Sequence, residues 1–223
     1  MGPLTKAVKR YWPSCLGMAF LFLLYIINYK NIFCLMVFND EFGYWGNAAA
    51  LAGLDWSSLL AQTPYYSMGY SLLLVPLFWM KLQPEVMYRI AILMNMFFLC
   101  VSYCCAVYTA AHLFPEMDRN LCQLVSFAST ASGVLLYYSQ IAWCEVYLTM
   151  LMWCLIALFV RLESKWSLTA VLEIVAVTVL MYLTHQRVVM LVPLAIGMLI
   201  IICIRHKRYA VAVFVLIATA LCL

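Results

Sequence analysis

Apolar runs of helical length follow one another along almost the whole chain, and this constrains its fold more than anything else. They are read at residues 14–37, 86–113, 121–143, 145–162, 167–184 and 187–204, with a further run at 209–223. Crossing a hydrocarbon core about 30 Å thick takes about 20 mostly apolar residues, and a helix satisfies its own backbone there. Composition agrees, with 68% hydrophobic residues, 10% charged residues and a mean hydropathy of +0.99. A soluble domain carries roughly a quarter charged residues. The expectation is an all-α polytopic membrane protein with about seven transmembrane helices.

One shorter apolar segment, 68–80, is ambiguous, and basic residues decide its status. If it does not cross and the N-terminus is inside, nine Lys/Arg face inward and four outward. If it crosses, every later loop flips and the split becomes six inside and seven outside. Cytoplasmic loops carry the excess of Lys and Arg, so the first arrangement is favoured. It puts Arg205, Lys207 and Arg208 inside and makes 68–80 an interfacial helix within an outer loop, residues 39–85. The net charge of +4 then reflects basic inner loops, and nucleic acid is not an expected partner. Most of the ten cysteines lie in apolar runs, where Cys behaves as a small hydrophobe. No CxxC or Cys/His metal spacing is present. The basic start followed by 15–27 reads as a retained helix, not a cleaved leader.

The same topology gathers Asp40, Glu41, Asp55, Lys81, Glu85, Arg89, Glu145, His185 and Arg187 on or near the outer face. Ionised groups at a bilayer edge are expensive and often functional. The order of features resembles the first outer loop of GT-C class membrane glycosyltransferases, which include protein O-mannosyltransferases and lipid A aminoarabinose transferases. The resemblance rests on one N-terminal helix, then Asp40-Glu41-Phe42-Gly43-Tyr44, a small-residue helix at 46–53, and Tyr65-Tyr66-Ser67-Met68-Gly69-Tyr70 leading into an apolar stretch with Pro76. Glu145, opening a later span, completes the set. It covers about residues 10–205 and implies one transmembrane module over 1–223 with two juxtamembrane helices in the outer loop. Family members continue for several more helices, so the chain reads as truncated at its C-terminus.

The resemblance implies transfer of a sugar from a polyprenyl-phosphate carrier to an acceptor hydroxyl of a glycan, lipid or protein. A base is needed at the acceptor and cations at the leaving phosphate. Asp40 matches the family's acidic base, Glu41 is its neighbour, and Glu145 matches the second acidic position. Arg187 and His185 stand where the family has a basic residue for the carrier phosphate, with Arg89 and Lys81 as further candidates. Arg89 and Arg187 are expected to approach a common cavity. A divalent cation, Mg or Mn, is a possible cofactor. Each residue has a plainer reading: Asp40 as a helix cap, Glu145 as a first-turn acid on a helix dipole, Glu85 paired with Arg89, Arg187 snorkelling beside His185. Glu173, inside an apolar run, is either functional or a satisfied buried acid. The implied location is a bacterial plasma membrane, or the endoplasmic reticulum in a eukaryote, with the site outside or in the lumen. Two other readings remain open: a flippase of lipid-linked sugars, and a non-catalytic scaffold. No inverted repeat favours the flippase.

Overall fold

The computed structural model describes residues 3–32, 39–58 and 66–222, with the side chains of 11–32, 40–58, 66–215 and 217. Tyr65 lies outside the described residues. Ten α-helices are described and no strand: α1 (Pro3–Asn28), α2 (Asn39–Leu51), α3 (Met68–Trp79), α4 (Pro84–Leu113), α5 (Arg119–Thr130), α6 (Gly133–Ser139), α7 (Glu145–Ser164), α8 (Leu168–Thr184), α9 (Leu191–Arg205) and α10 (Tyr209–Cys222). Short 3-10 turns follow α1, at Tyr29–Asn31, and precede α9, at Gln186–Met190.

Four stretches are long and apolar enough to cross a membrane: Tyr11–Asn31, Pro84–Leu113, Glu145–Ser164 and Gln186–Arg205. A fifth exists if α5 and α6 form one span bent by 59°. The single run read at 121–143 is therefore broken. Ser129 and Thr130 donate their hydroxyls to the Ser126 carbonyl, at 2.9 and 2.8 Å, and such back-bonding bends helices. Ser132 then caps α6 by accepting from the Leu135 amide. The 17 residues of α8 reach only about 26 Å, and the 14 of α10 about 21 Å. By length α8 falls below a full span, and among the described residues four to five spans are seen where about seven were expected.

The two helices of segment 39–85, α2 and α3, have 13 and 12 residues, too few to cross. They pack on each other through Tyr44 against Tyr70 and Trp45 against Phe78. A close approach seats α3 on the end of α8. A Cβ built on Gly69 would stand 2.4 Å from the Thr184 hydroxyl and 2.8 Å from its Cα. Small residues serve this purpose between membrane helices. Gly69→Ala should overpack this contact and destabilise the protein by about 1–3 kcal/mol, read as a lower thermal midpoint in detergent. An unchanged midpoint would mean that the two helices separate freely.

At the centre lies α4, with Ala91, Ile92, Met96 and Leu99 fully buried. Its Asn95 donates to the Ile141 carbonyl at 2.7 Å and accepts from the Tyr70 hydroxyl at 3.4 Å. The end of the bundle that carries Arg161 and Arg205 is basic and self-paired. Arg161 meets Glu173 at 3.1 Å, Arg205 meets Glu163 at 2.8 Å, and Arg208 lies over the Trp166 ring at 5.5 Å. Glu173 thus has an ordinary half-exposed ion pair.

Candidate functional site

The opposite end of the bundle collects the ends of α1 and α8, the starts of α2, α3, α4 and α7, and the loop 140–144. That loop folds inward, with Ile141, Ala142 and Cys144 buried. Three polar anchors hold it. Besides the Asn95 bond, Glu41 Oε1 accepts from the Ala142 amide at 3.0 Å, and the Tyr44 hydroxyl meets Cys144 Sγ at 2.9 Å. Glu145 follows directly as the first residue of α7.

Asp40 and Glu41 are adjacent in the first turn of α2 and take opposite roles. Successive helical residues point about 100° apart. Asp40 is exposed and accepts from the Tyr66 hydroxyl at 2.7 Å. Partial burial first, and then the Asp40 bond and charge, push the Tyr66 hydroxyl up to about 12, so it stays a donor. Glu41 is fully buried and also accepts from the Tyr88 hydroxyl at 2.6 Å. Asp40 is not an N-cap, since α2 begins one residue before it.

Glu145 Oε1 accepts from Arg187 Nη2 at 2.5 Å. Arg187 Nε lies 3.2 Å from His185 Nε2, and the Arg187 amide donates to His185 Nδ1 at 3.1 Å. This last bond caps the 3-10 turn and turns the chain back into α9. Burial and then the Arg187 charge lower the His185 pKa, while Glu145 and Asp40 oppose them, so the imidazole is neutral at pH 7. Both Asp40 and Glu145 act electrostatically on His185 and on the Tyr44 hydroxyl, so the two carboxylates lie at the same end of the bundle. Tyr44 is pushed strongly up, by burial first and then by Cys144.

This end of the bundle therefore gathers Asp40, Glu145, His185 and Arg187 from three distant segments. Glu41 stands behind it as packing. Arg89 is next to Tyr88 but faces α1: its Nε donates to the Ile32 carbonyl at 2.6 Å and its guanidinium covers Tyr29 at 4.5 Å. Arg89 and Arg187 have separate partners among the described residues. The expected Glu85–Arg89 pair is also not formed there. Lys81 sits in the turn beyond the far end of α3, about 20 Å along the helix from the Tyr66 corner. Exposed Asp55 only caps its own turn, accepting from the Ser57 amide at 2.9 Å.

Sequence reasoning missed the part of three residues that hold this site: Tyr44, Tyr66 and Cys144. The acidic motif had a visible aromatic four residues on, but nothing linked Tyr44 to a cysteine a hundred residues away. Cys144, Glu145 and His185 bring a thiol, a carboxylate and an imidazole within 4.8 Å of one another. Mg and Mn favour oxygen donors at octahedral spacing. With Asp40 bonded to Tyr66 and Glu41 buried, this donor set does not fit the hard divalent cation expected from the resemblance. No family model, curated protein or solved structure matches the chain.

Proposed function

We propose that the protein is a membrane glycosyltransferase that moves a sugar from a polyprenyl-phosphate carrier to an acceptor hydroxyl. The observation that carries this reading is the grouping itself: exposed Asp40 at the same bundle end as a Glu145–Arg187–His185 group, opposite the basic turns. Asp40 takes the proton of the acceptor hydroxyl as that oxygen attacks the anomeric carbon. Tyr66 holds the carboxylate in place by its bond to one oxygen, leaving the other for the acceptor. Arg187, 64% exposed in its side chain, offers a planar fork to the phosphate of the leaving lipid. Glu145 orients that fork and can take a sugar hydroxyl on its other oxygen. The site faces the outer or luminal side, as the basic turns at the other end face the cytoplasm.

Transfer from a radiolabelled polyprenyl-phosphate sugar, assayed with the full chain in lipid nanodiscs, tests the reading. Arg187→Gln should raise the donor KM about 10–100-fold, the range expected when a bond to a charged group is lost. Folded protein that transfers none of the common polyprenyl-phosphate hexoses or pentoses would overturn the proposal. Orientation has its own test in Lys207→Cys, in the exposed turn between α9 and α10. An impermeant thiol reagent should label it only after cells are opened. Labelling in intact cells would invert the topology.

A further inference from the structure

Three groups able to bind a metal stand together, and the Arg187 guanidinium is the cation that two of them already meet. Its Nη2 holds Glu145 and its Nε lies against the His185 ring. Cys144 Sγ completes the group, with all three ligand atoms within 4.8 Å of one another. We infer that Cys144, Glu145 and His185 form a binding site for a soft divalent transition metal, zinc above all, which enters in exchange for the Arg187 guanidinium. Thiolate, imidazole and carboxylate are the donor types zinc prefers, three of them leaving a fourth position open.

The geometry is close to what such an ion requires. Tetrahedral zinc with bonds of about 2.0–2.3 Å sets neighbouring ligand atoms roughly 3.3–3.8 Å apart. The cluster needs to contract by about 1 Å at its widest, which rotamer adjustments of Glu145 and His185 supply. Arg187 sits on an exposed, flexible stem and can swing outward without unpacking the core. Binding releases the Cys144 proton to solvent as sulfur bonds the ion, with no change in oxidation state. The Tyr44 hydroxyl, 2.9 Å from Sγ, then donates to the thiolate and steadies it from behind. Cys144 is fixed by its buried loop, Glu145 by the first turn of α7, and His185 by its cap on the 3-10 turn.

The exchange also has a use. While Arg187 is tied to Glu145 it is partly neutralised. Once the ion holds Glu145, the guanidinium is released toward solvent at the same end of the bundle, where it can meet an anion. This last consequence rests on the transferase reading, whereas the site itself rests only on its donors.

The test uses the full chain in detergent, stripped with a chelator and then dialysed against zinc, cobalt(II) or magnesium. Metal analysis should find about one zinc per chain, and no magnesium. Cobalt should give tetrahedral visible bands and a near-ultraviolet thiolate charge-transfer band, lost in Cys144→Ser and weakened in His185→Gln. Arg187→Gln should bind zinc at least tenfold more tightly, because the competing cation is gone. Weaker binding in Arg187→Gln would overturn the exchange. No retained zinc, or a cobalt band unchanged in Cys144→Ser, would overturn the site. Thermal midpoints of the metal-free variants show that they are folded. Asp40→Asn should bind zinc normally, so a failed transfer assay and a failed metal assay point to different errors.

Discussion

Asp40→Asn is expected to lower sugar transfer by about 10²–10⁴-fold, the usual effect of removing one general base. Asparagine nearly matches aspartate in shape and its carbonyl oxygen still accepts from the Tyr66 hydroxyl, so the corner of α2 keeps its form. What it cannot do is take a proton from an attacking hydroxyl. Asp40 is exposed, so expression and thermal midpoint should stay close to those of the parent. Glu145→Gln should reduce transfer less, since its carbonyl oxygen still engages Arg187. Asp55→Asn should do little. Purified variants assayed with the same carrier sugar rank these effects. Undiminished turnover in Asp40→Asn would remove Asp40 as the base and overturn the mechanism proposed for it.

Glu41→Ala should have the largest effect on stability. It strands two buried donors at once, the Tyr88 hydroxyl and the Ala142 amide, each now 2.6–3.0 Å from a carboxylate oxygen. An unsatisfied buried polar group costs about 1–3 kcal/mol, so the pair amounts to about 2–6 kcal/mol before any cavity is counted. Glu41→Gln keeps an acceptor oxygen of the same reach and should lose less than half as much. Thermal unfolding in detergent separates the two. Equal, severe loss of transfer in Glu41→Gln with an intact midpoint would return Glu41 to the chemistry. Preserved transfer would keep it as the pin beneath the loop.

The helical class was legible because a bilayer leaves few alternatives, and hydropathy reports it directly. The short α3 was legible for a different reason: the Lys/Arg asymmetry disfavoured 68–80 as a crossing segment, while α2 was expected only through the resemblance. The break at 131–132 was not, since Ser126, Ser129 and Thr130 sit in a window whose mean hydropathy hides a local choice among hydroxyl partners. Within the site, Asp40, Glu145, His185 and Arg187 could be proposed because charge is conspicuous against an apolar background. Their division of labour could not. Whether Glu41 faces water or core depends on a 100° turn between neighbours and on a loop that arrives a hundred residues later. Arg89 shows the converse: a conspicuous basic residue spent on a carbonyl and a tyrosine ring of the turn that follows α1.

The anchoring of loop 140–144 sets a timetable for biogenesis. Glu41 and Ala142 are 101 residues apart, and Tyr44 and Cys144 are 100 apart. Ribosomes add about 5–20 residues per second. The carboxylate of α2 therefore waits roughly 5–20 s before its amide partner is made, and longer before His185 and Arg187 emerge. By the end of that interval α1 and α4 have both been made while the surface meant to receive Ala142 is unfilled. Ribosome-bound intermediates ending near residue 130 should hand this open flank to an insertase or membrane chaperone, and release it once α7 is complete.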